Sequence, residues 1–397
     1  MKRALIIVLD SVGIGHAPDA AAFGDKGANT VGHIREAVPG FATPHLDRAG
    51  LRAAEALAAG DTETPDPAPA WSWGCLTEIS AGKDTTTGHW EIAGAPVLEP
   101  FSVFSRFPDE LVKEMEEAAG VHFIGNYAES GTVILEQLGA EHLRTGSPIL
   151  YTSADSVIQI AAHEALIPVK ELYQICEACR VIADRENIGR VIARPFTGEI
   201  GSFKRSKNRH DFSRKPPRTV LNELTDAGVK TIGVGKISDI FAGSGIQESH
   251  PTSGNAEGCE TIIRLLDRDW NTPELIFANL VDFDSLYGHR RDPEGYAAAL
   301  EAFDEWLPQL EARITEDLLV IITADHGNDP TWSGTDHTRE KVPLLTRKPG
   351  PPEDLGSRES FSDVAAAIAE WFSLKQSERP GNSFCRLPSK PLEEFGG

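Results

Sequence analysis

The chain is short of what several classes of protein require. It has only five cysteines, an odd number scattered at 75, 176, 179, 259 and 385, and such a set offers no disulfide framework. Cys176-Glu-Ala-Cys179 has redox or zinc spacing, but it lies inside a helical pattern from Pro168 to Ala183 with no second pair nearby. It reads as two buried or half-buried thiols one turn apart. Positive charge is scarce: 38 Lys and Arg stand against 60 Asp and Glu, a net −22, which argues against nucleic acid and anionic membrane as partners. No long hydrophobic run is present. The apolar part of Met1-Lys-Arg-Ala-Leu-Ile-Ile-Val-Leu-Asp10 is too short to span a bilayer, and no small-residue cleavage site follows it. It is expected to be a first buried strand of a cytoplasmic protein. Internal repeats and low-complexity tracts are lacking too. What remains, 397 residues at 40% apolar and 25% charged, suits a globular protein of two or three domains.

Against this background, apolar runs that end in acids stand out. Leu318-Leu-Val-Ile-Ile-Thr323 does not alternate, so it reads as a strand covered on both faces. It discharges into Ala-Asp325-His326-Gly-Asn328, with Asp336-His337 a short loop later. In open α/β sheets the carboxyl edge of the strands is where ligands bind, and a carboxylate with two imidazoles suits Zn²⁺ or Mn²⁺. Strand Ala4 to Leu9 ends in Asp10, and Leu275 to Val281 ends in Asp282-Phe-Asp284 and continues to His289. Gly13 and Gly15 lack the third glycine of a dinucleotide fingerprint. Clustered carboxylates raise one another's pKa, and two bound cations would relieve the repulsion.

Gly82-Lys-Asp-Thr-Thr-Thr-Gly88 sets a lysine, an acid and three threonines between glycines, with a helix expected to start near Thr86. Backbone N–H groups there can approach an anion, and one hydroxyl could act as a nucleophile if a metal activated it. Ahead of it, Gly60 to Ala70 carries three prolines and no hydrophobic period, and is expected to be an exposed loop. From about Pro100 the texture changes to helices (108–119, 131–143, 168–184) and short apolar segments at 148–151 and 190–193. This is an α+β insert that ends in a basic loop, with seven Lys or Arg and one acid between 204 and 218. Beyond Pro217, helix 218–227, strand 231–235, a glycine-rich loop 242–258, helix 259–268 and the long helix 293–314 restore strand–helix alternation. That pattern implies a parallel sheet wrapped on both faces.

Asp10, the block Gly82-Lys-Asp-Thr-Thr-Thr-Gly-His-Trp-Glu91, Asp282-Phe-Asp-Ser-Leu-Tyr-Gly-His289 and Thr323-Ala-Asp-His-Gly-Asn328 with Asp336-His337 together resemble the alkaline phosphatase superfamily and, within it, the phosphopentomutase family. Tyr151-Thr-Ser-Ala-Asp-Ser156, Arg190-Val-Ile-Ala-Arg-Pro195, Asn208-Arg-His-Asp211 and Gly235-Lys-Ile-Ser-Asp239 are similar to the same family. The resemblance runs from residue 4 to about 385, with extra residues only between Gly60 and Trp73. It implies an α/β core with a central, mostly parallel sheet flanked by helices (1–97 and 220–397), plus an inserted α+β cap domain (98–219) acting as a lid that excludes water.

It further implies two Mn²⁺ per chain. One would be held by Asp10, Asp325 and His326 beside the nucleophile Thr85, the other by Asp284, His289 and His337. Asp282 and Asp336 match no ligand position and would support the ligands. Ser153, Asp155, Arg194 and Arg209 of the cap, with Lys236 of the core, would meet a small sugar phosphate; a planar guanidinium suits bidentate contact with phosphate. The implied activity is interconversion of ribose 1-phosphate and ribose 5-phosphate, and of the 2-deoxy pair, with glucose 1,6-bisphosphate or ribose 1,5-bisphosphate as activator. No oligomeric state is implied. The rival readings are another metal-dependent phosphatase or phosphoglycerate-type mutase of the superfamily, and a non-catalytic metal-dependent sugar-phosphate binder.

Overall fold

A computed structural model describes residues 1–385 except 62, 64, 154–155 and 376–378. The chain divides into two compact units, Met1–Glu99 with Pro216–Gly397, and Pro100–Lys215. The first is built on an eight-stranded sheet in the order Glu248–His250, Lys230–Val234, Glu274–Leu280, Arg3–Leu9, Leu318–Thr323, Val342–Arg347, Ser72–Leu76, Asp354–Arg358. The first five run parallel, Val342–Arg347 is antiparallel to both neighbours, and Asp354–Arg358 is parallel to Ser72–Leu76. Strands Arg3–Leu9, Glu274–Leu280 and Leu318–Thr323 are buried at every residue. Helices cover both faces, so an unbroken apolar run is stable where an alternating one would not be.

Register decides what the sheet delivers. Leu9 pairs with Leu280, and Val8 with Thr323. The next residues, Asp10, Val281-Asp282 and Ala324-Asp325, therefore leave the sheet side by side at one edge. Lys236 leaves at that edge too, because Val234 pairs with Ala278, and it is exposed.

The expected α/β class, with its mostly parallel sheet and flanking helices, is the one found. Several boundaries differ. The glycine-rich stretch 242–258 contains the edge strand Glu248–His250, and the helix after it begins at Asn255 rather than 259. Within Gly60 to Trp73, Trp71 is buried and donates from Nε1 to Glu311 (3.1 Å), and Ser72 opens a strand.

The second unit holds a six-stranded sheet: Ile124–Ala128, Ile149–Thr152, Val157–His163, Arg190–Thr197 and Lys204–Arg205 in order, with His210–Ser213 also paired to Arg190–Thr197. Helix Val169–Arg185 buries Leu172, Ile175, Cys176, Cys179 and Ile182 against it. Both cysteines are free and buried, like the other three. The basic stretch expected to be a loop is instead partly strand, because Lys204–Arg205 and His210–Ser213 complete the ladder of Arg190–Thr197. Among the described residues no helix is long and apolar enough to cross a membrane.

Candidate active site

The three strand ends bring two clusters of ligand-type atoms together. Asp10, Asp325 and His326 form one, and Asp284, His326 and His337 the other, each set lying within 4.8 Å of itself. His326 Nε2 stands 3.5 Å from Asp10 Oδ1 and 3.4 Å from Asp325 Oδ2. His337 Nε2 lies 3.5 Å from Asp284 Oδ1. His289 borders the second cluster, its Nε2 3.3 Å from Asp284 Oδ2 and 3.2 Å from His337 Nε2. All six residues therefore form one contiguous patch, with His326 between two groups that sequence reasoning kept apart. Asp284 reaches it from a short π-helical turn, Phe283–Gly288, a distortion that recurs at functional sites.

Neighbouring groups orient the ligands. Nδ1 of His289 faces the Thr335 carbonyl (2.7 Å), and Nδ1 of His326 faces that of Gly327 (3.1 Å). A proton on each Nδ1 leaves the Nε2 lone pairs directed into the cluster. Asn279 donates to Asp10 Oδ2 (2.9 Å), and Asn328 donates to Asp284 Oδ1 (2.7 Å) while accepting from Arg291 (2.5 Å). Ser11 takes the left-handed conformation at φ +70°, at a cost of roughly 1–2 kcal/mol, and this turns its N–H onto Asp325 Oδ1 (3.1 Å).

The residues present fit a pair of cations. Asp10 Oδ1 and Asp325 Oδ2 are buried and accept no hydrogen bond from any described residue, a costly state for a carboxylate unless something positive meets it. Burial, then Asp325 and Asp284, push Asp10 well above the usual carboxylate range. Burial also acts against Asp284, yet hydrogen bonds from His289 and His337 hold it low. His326 is opposed by burial but raised to about 9 by Asp325, Asp10 and Asp284. Divalent ions bound here would meet these carboxylates directly and displace any proton the cluster holds.

Thr85 opens helix Thr85–Ile92, and its Oγ1 lies 3.2 Å from His326 Nε2. Asp84 caps the helix, accepting from Thr86 N (3.0 Å) and Thr87 N (3.2 Å), and Thr87 Oγ1 is committed to that cap. Of the three threonines, therefore, Thr85 is the one whose hydroxyl meets the cluster. Gly88 lets the helix come this close, since a Cβ there would stand 2.0 Å from the Asp325 carbonyl oxygen.

The turn before the helix is fixed from below by Arg339, which is 2% exposed. All five of its N–H donors are used, on Asp19, Glu78 Oε2, the Glu78 carbonyl and the Gly82 carbonyl. Lys83 bridges Asp25 (3.0 Å) and Asp336 (3.2 Å). Asp282 lies farther off, exchanging hydrogen bonds with Asn255 at the start of its helix. Sequence reasoning missed Arg339, Asn279 and Asn328. Only the run Thr338-Arg-Glu340, directly after Asp336-His337, could have signalled the first.

In the second unit, Ser153, Arg194 and Arg209 line one cavity of about 260 Å³, together with Arg190 and Gln159. The strand pairing explains this: Arg190, Ile192 and Arg194 alternate onto the face that carries Gln159. Arg194 donates to Gln159 (3.0 Å), and Arg209 is bidentate to Asp211 (2.7 Å each). Asp155 lies outside the described residues.

A profile of the metalloenzyme superfamily matches residues 2–376. A phosphopentomutase of Caldanaerobacter subterraneus subsp. tengcongensis is 51% identical over 396 residues, covering 98% of this chain and 99% of its own. One of Carboxydothermus hydrogenoformans is 50% identical over 382 residues, covering 94% and 97%. The solved structure of Leishmania mexicana phosphoglycerate mutase aligns over 96% of this chain and 97% of its own with a TM-score of 0.50 at 14% identity, a likeness of fold. With its ligand-type residues gathered at one sheet edge and half its sequence shared end to end, the chain belongs to the phosphopentomutase family of the metalloenzyme superfamily.

Proposed function

We propose that the chain interconverts α-D-ribose 1-phosphate and D-ribose 5-phosphate, and the corresponding 2-deoxy sugars, through a phosphothreonine on Thr85. The observation that carries this reading is the 3.2 Å approach of Thr85 Oγ1 to His326, the one residue common to both ligand clusters. Asp10, Asp325 and His326 would hold one Mn²⁺ and Asp284, His289 and His337 a second, and the pair would supply charge neutralisation for the transferring phosphoryl group and lower the pKa of the hydroxyl it contacts.

The remaining work falls to side chains. Thr85, primed by glucose 1,6-bisphosphate or ribose 1,5-bisphosphate, passes its phosphoryl group to the free hydroxyl of the sugar monophosphate: the Oγ1–P bond breaks as the new P–O bond forms, and the proton of the attacking hydroxyl ends on Thr85 Oγ1. The resulting 1,5-bisphosphate returns its other phosphate to Thr85, so the phosphoryl count is unchanged over a cycle. Asp84 and Arg339 keep the nucleophile's turn rigid, which matters because phosphoryl transfer depends on positioning. Arg194 and Arg209, with Ser153, suit the phosphate that does not react, Asp155 suits a ribose hydroxyl, and Lys236 suits an anion at the core's sheet edge. Five buried, unpaired cysteines accord with a reducing, cytoplasmic location.

The test is an assay of bisphosphate-primed isomerisation run beside phosphate release in Mn²⁺. Isomerisation should far exceed release. Net phosphate release would instead point to a phosphatase, and sugar-phosphate binding without either reaction to a non-catalytic binder.

A further inference from the structure

His89 lies on the helix that Thr85 opens, one turn further along. It is fully buried, and its ring stacks on Phe277 at 5.9 Å. Its Nδ1 is 2.9 Å from the Thr85 carbonyl and 3.0 Å from Asp325 Oδ2. Both atoms are acceptors, so Nδ1 carries the proton. The N–H is directed at the carbonyl, and the carboxylate, whose Oδ2 accepts no aligned hydrogen bond, gains the attraction of the same polarised N–H from the side. The other ring nitrogen, Nε2, is buried and meets no polar partner among the described residues.

A side chain kept only for packing would not carry that unmet nitrogen, because a phenylalanine fills the same space without it. The imidazole is therefore retained for what Nδ1 does. We propose that His89 is a positioning residue for phosphoryl transfer: its single N–H locks the first turn of the Thr85 helix against Asp325, so that hydroxyl and carboxylate address the same cation. It touches neither the sugar phosphate nor the metal. The proposal rests on Thr85 as nucleophile and Asp325 as ligand.

Three variants separate this from a packing role. His89→Phe keeps the volume and the stacking but has no N–H. His89→Asn places an amide N–H near the position of Nδ1, whereas His89→Gln carries it to the position of Nε2. We expect His89→Phe to unfold at or above the wild-type temperature and to keep the wild-type KM for ribose 5-phosphate. Phosphothreonine formation from glucose 1,6-bisphosphate and Mn²⁺ affinity by calorimetry should each fall about 10–100-fold, the usual cost of removing a group that orients a ligand. Asn should restore most of both losses, and Gln should not.

Wild-type behaviour of His89→Phe in both measurements would overturn the proposal, as would an Asn variant that folds and is no better than Phe. Should the variants fail to fold, nitrogen-15 NMR of the wild-type enzyme loaded with Mg²⁺ still decides. A proton on Nδ1 is required, and a proton on Nε2 alone refutes the assignment. If the wild type itself neither binds Mn²⁺ nor becomes phosphorylated, the reading of the site fails rather than this inference alone.

Discussion

At the residue scale the account rests on which side chains have no substitute. Thr85 and Thr87 are two positions apart, yet one faces His326 and the other is spent on the cap of Asp84. Thr85→Ala should therefore abolish primed isomerisation, whereas Thr86→Ala should retain activity within about tenfold, a contrast steady-state kinetics will show. Asp84→Ala removes an N-cap and should lower unfolding free energy by about 1 kcal/mol. Arg339 is a different case. Its guanidinium pairs with buried Glu78 at 2.6 Å against a burial that pushes the Glu78 carboxyl well above the usual range. Arg339→Met, which breaks that pair, should therefore destabilise by about 3–5 kcal/mol in urea unfolding if Glu78 is ionised. A loss below 1 kcal/mol would show that Glu78 is held neutral instead. None of this could be read from the sequence around Arg339, because its partners lie some 260 to 320 positions away.

Elements were legible in proportion to how their environment matched their pattern. Leu5 to Leu9 and Leu318 to Ile322 are sheet-centre strands, covered on both faces, and their unbroken apolar runs announce it. The far side of the same sheet was not legible. Val342–Arg347 contains Pro343, and Ser72–Leu76 contains Gly74, whose Cβ would stand 2.6 Å from the Gly356 carbonyl oxygen. Both look like breaks in a pattern until the neighbouring strand explains them. The same logic applies to Gly88→Ala, which looks conservative on a helix. With a Cβ 2.0 Å from the Asp325 oxygen, it should push the helix away and depress Mn²⁺ affinity and turnover together.

The second unit carries its own pH sensitivity. Buried His142 accepts from the His163 N–H at Nε2 (2.9 Å) and donates from Nδ1 to the Ser147 carbonyl (2.7 Å), so it must stay neutral. Burial holds it below its ordinary value of 6.5, although the Ser147 carbonyl pulls the other way. A depressed folded value means that the stabilisation is intact above about pH 6.5, the unfolded value, and is lost as pH falls through the folded one. Hydrogen exchange over 131–145 and 157–163 should accelerate between pH 7.5 and 5.5 beyond the change in intrinsic rate. Protection that does not change would contradict it.

On the scale of the whole molecule, the net charge of −22 and the three buried acids of one sheet edge are the same problem at two sizes. The surface solves it with water and salt; the buried edge, where water is excluded, is suited to bound cations. Mn²⁺ should therefore stabilise the folded chain, by about 2.7 kcal/mol at a hundred times its Kd, and EDTA should lower the melting temperature by a matching amount. The acids at the strand ends located the edge. That His326 lies between both clusters, and that Asp282 caps a helix instead of joining them, became visible only in three dimensions. The most direct test of the central claim is mass spectrometry of the tryptic peptide spanning residue 85 after the Mn²⁺-loaded protein has been primed with glucose 1,6-bisphosphate. The account predicts one phosphate, on Thr85, that is lost to ribose 5-phosphate on chasing. Full isomerase turnover with that peptide unmodified, or with the phosphate on Thr86 or Thr87, would contradict it.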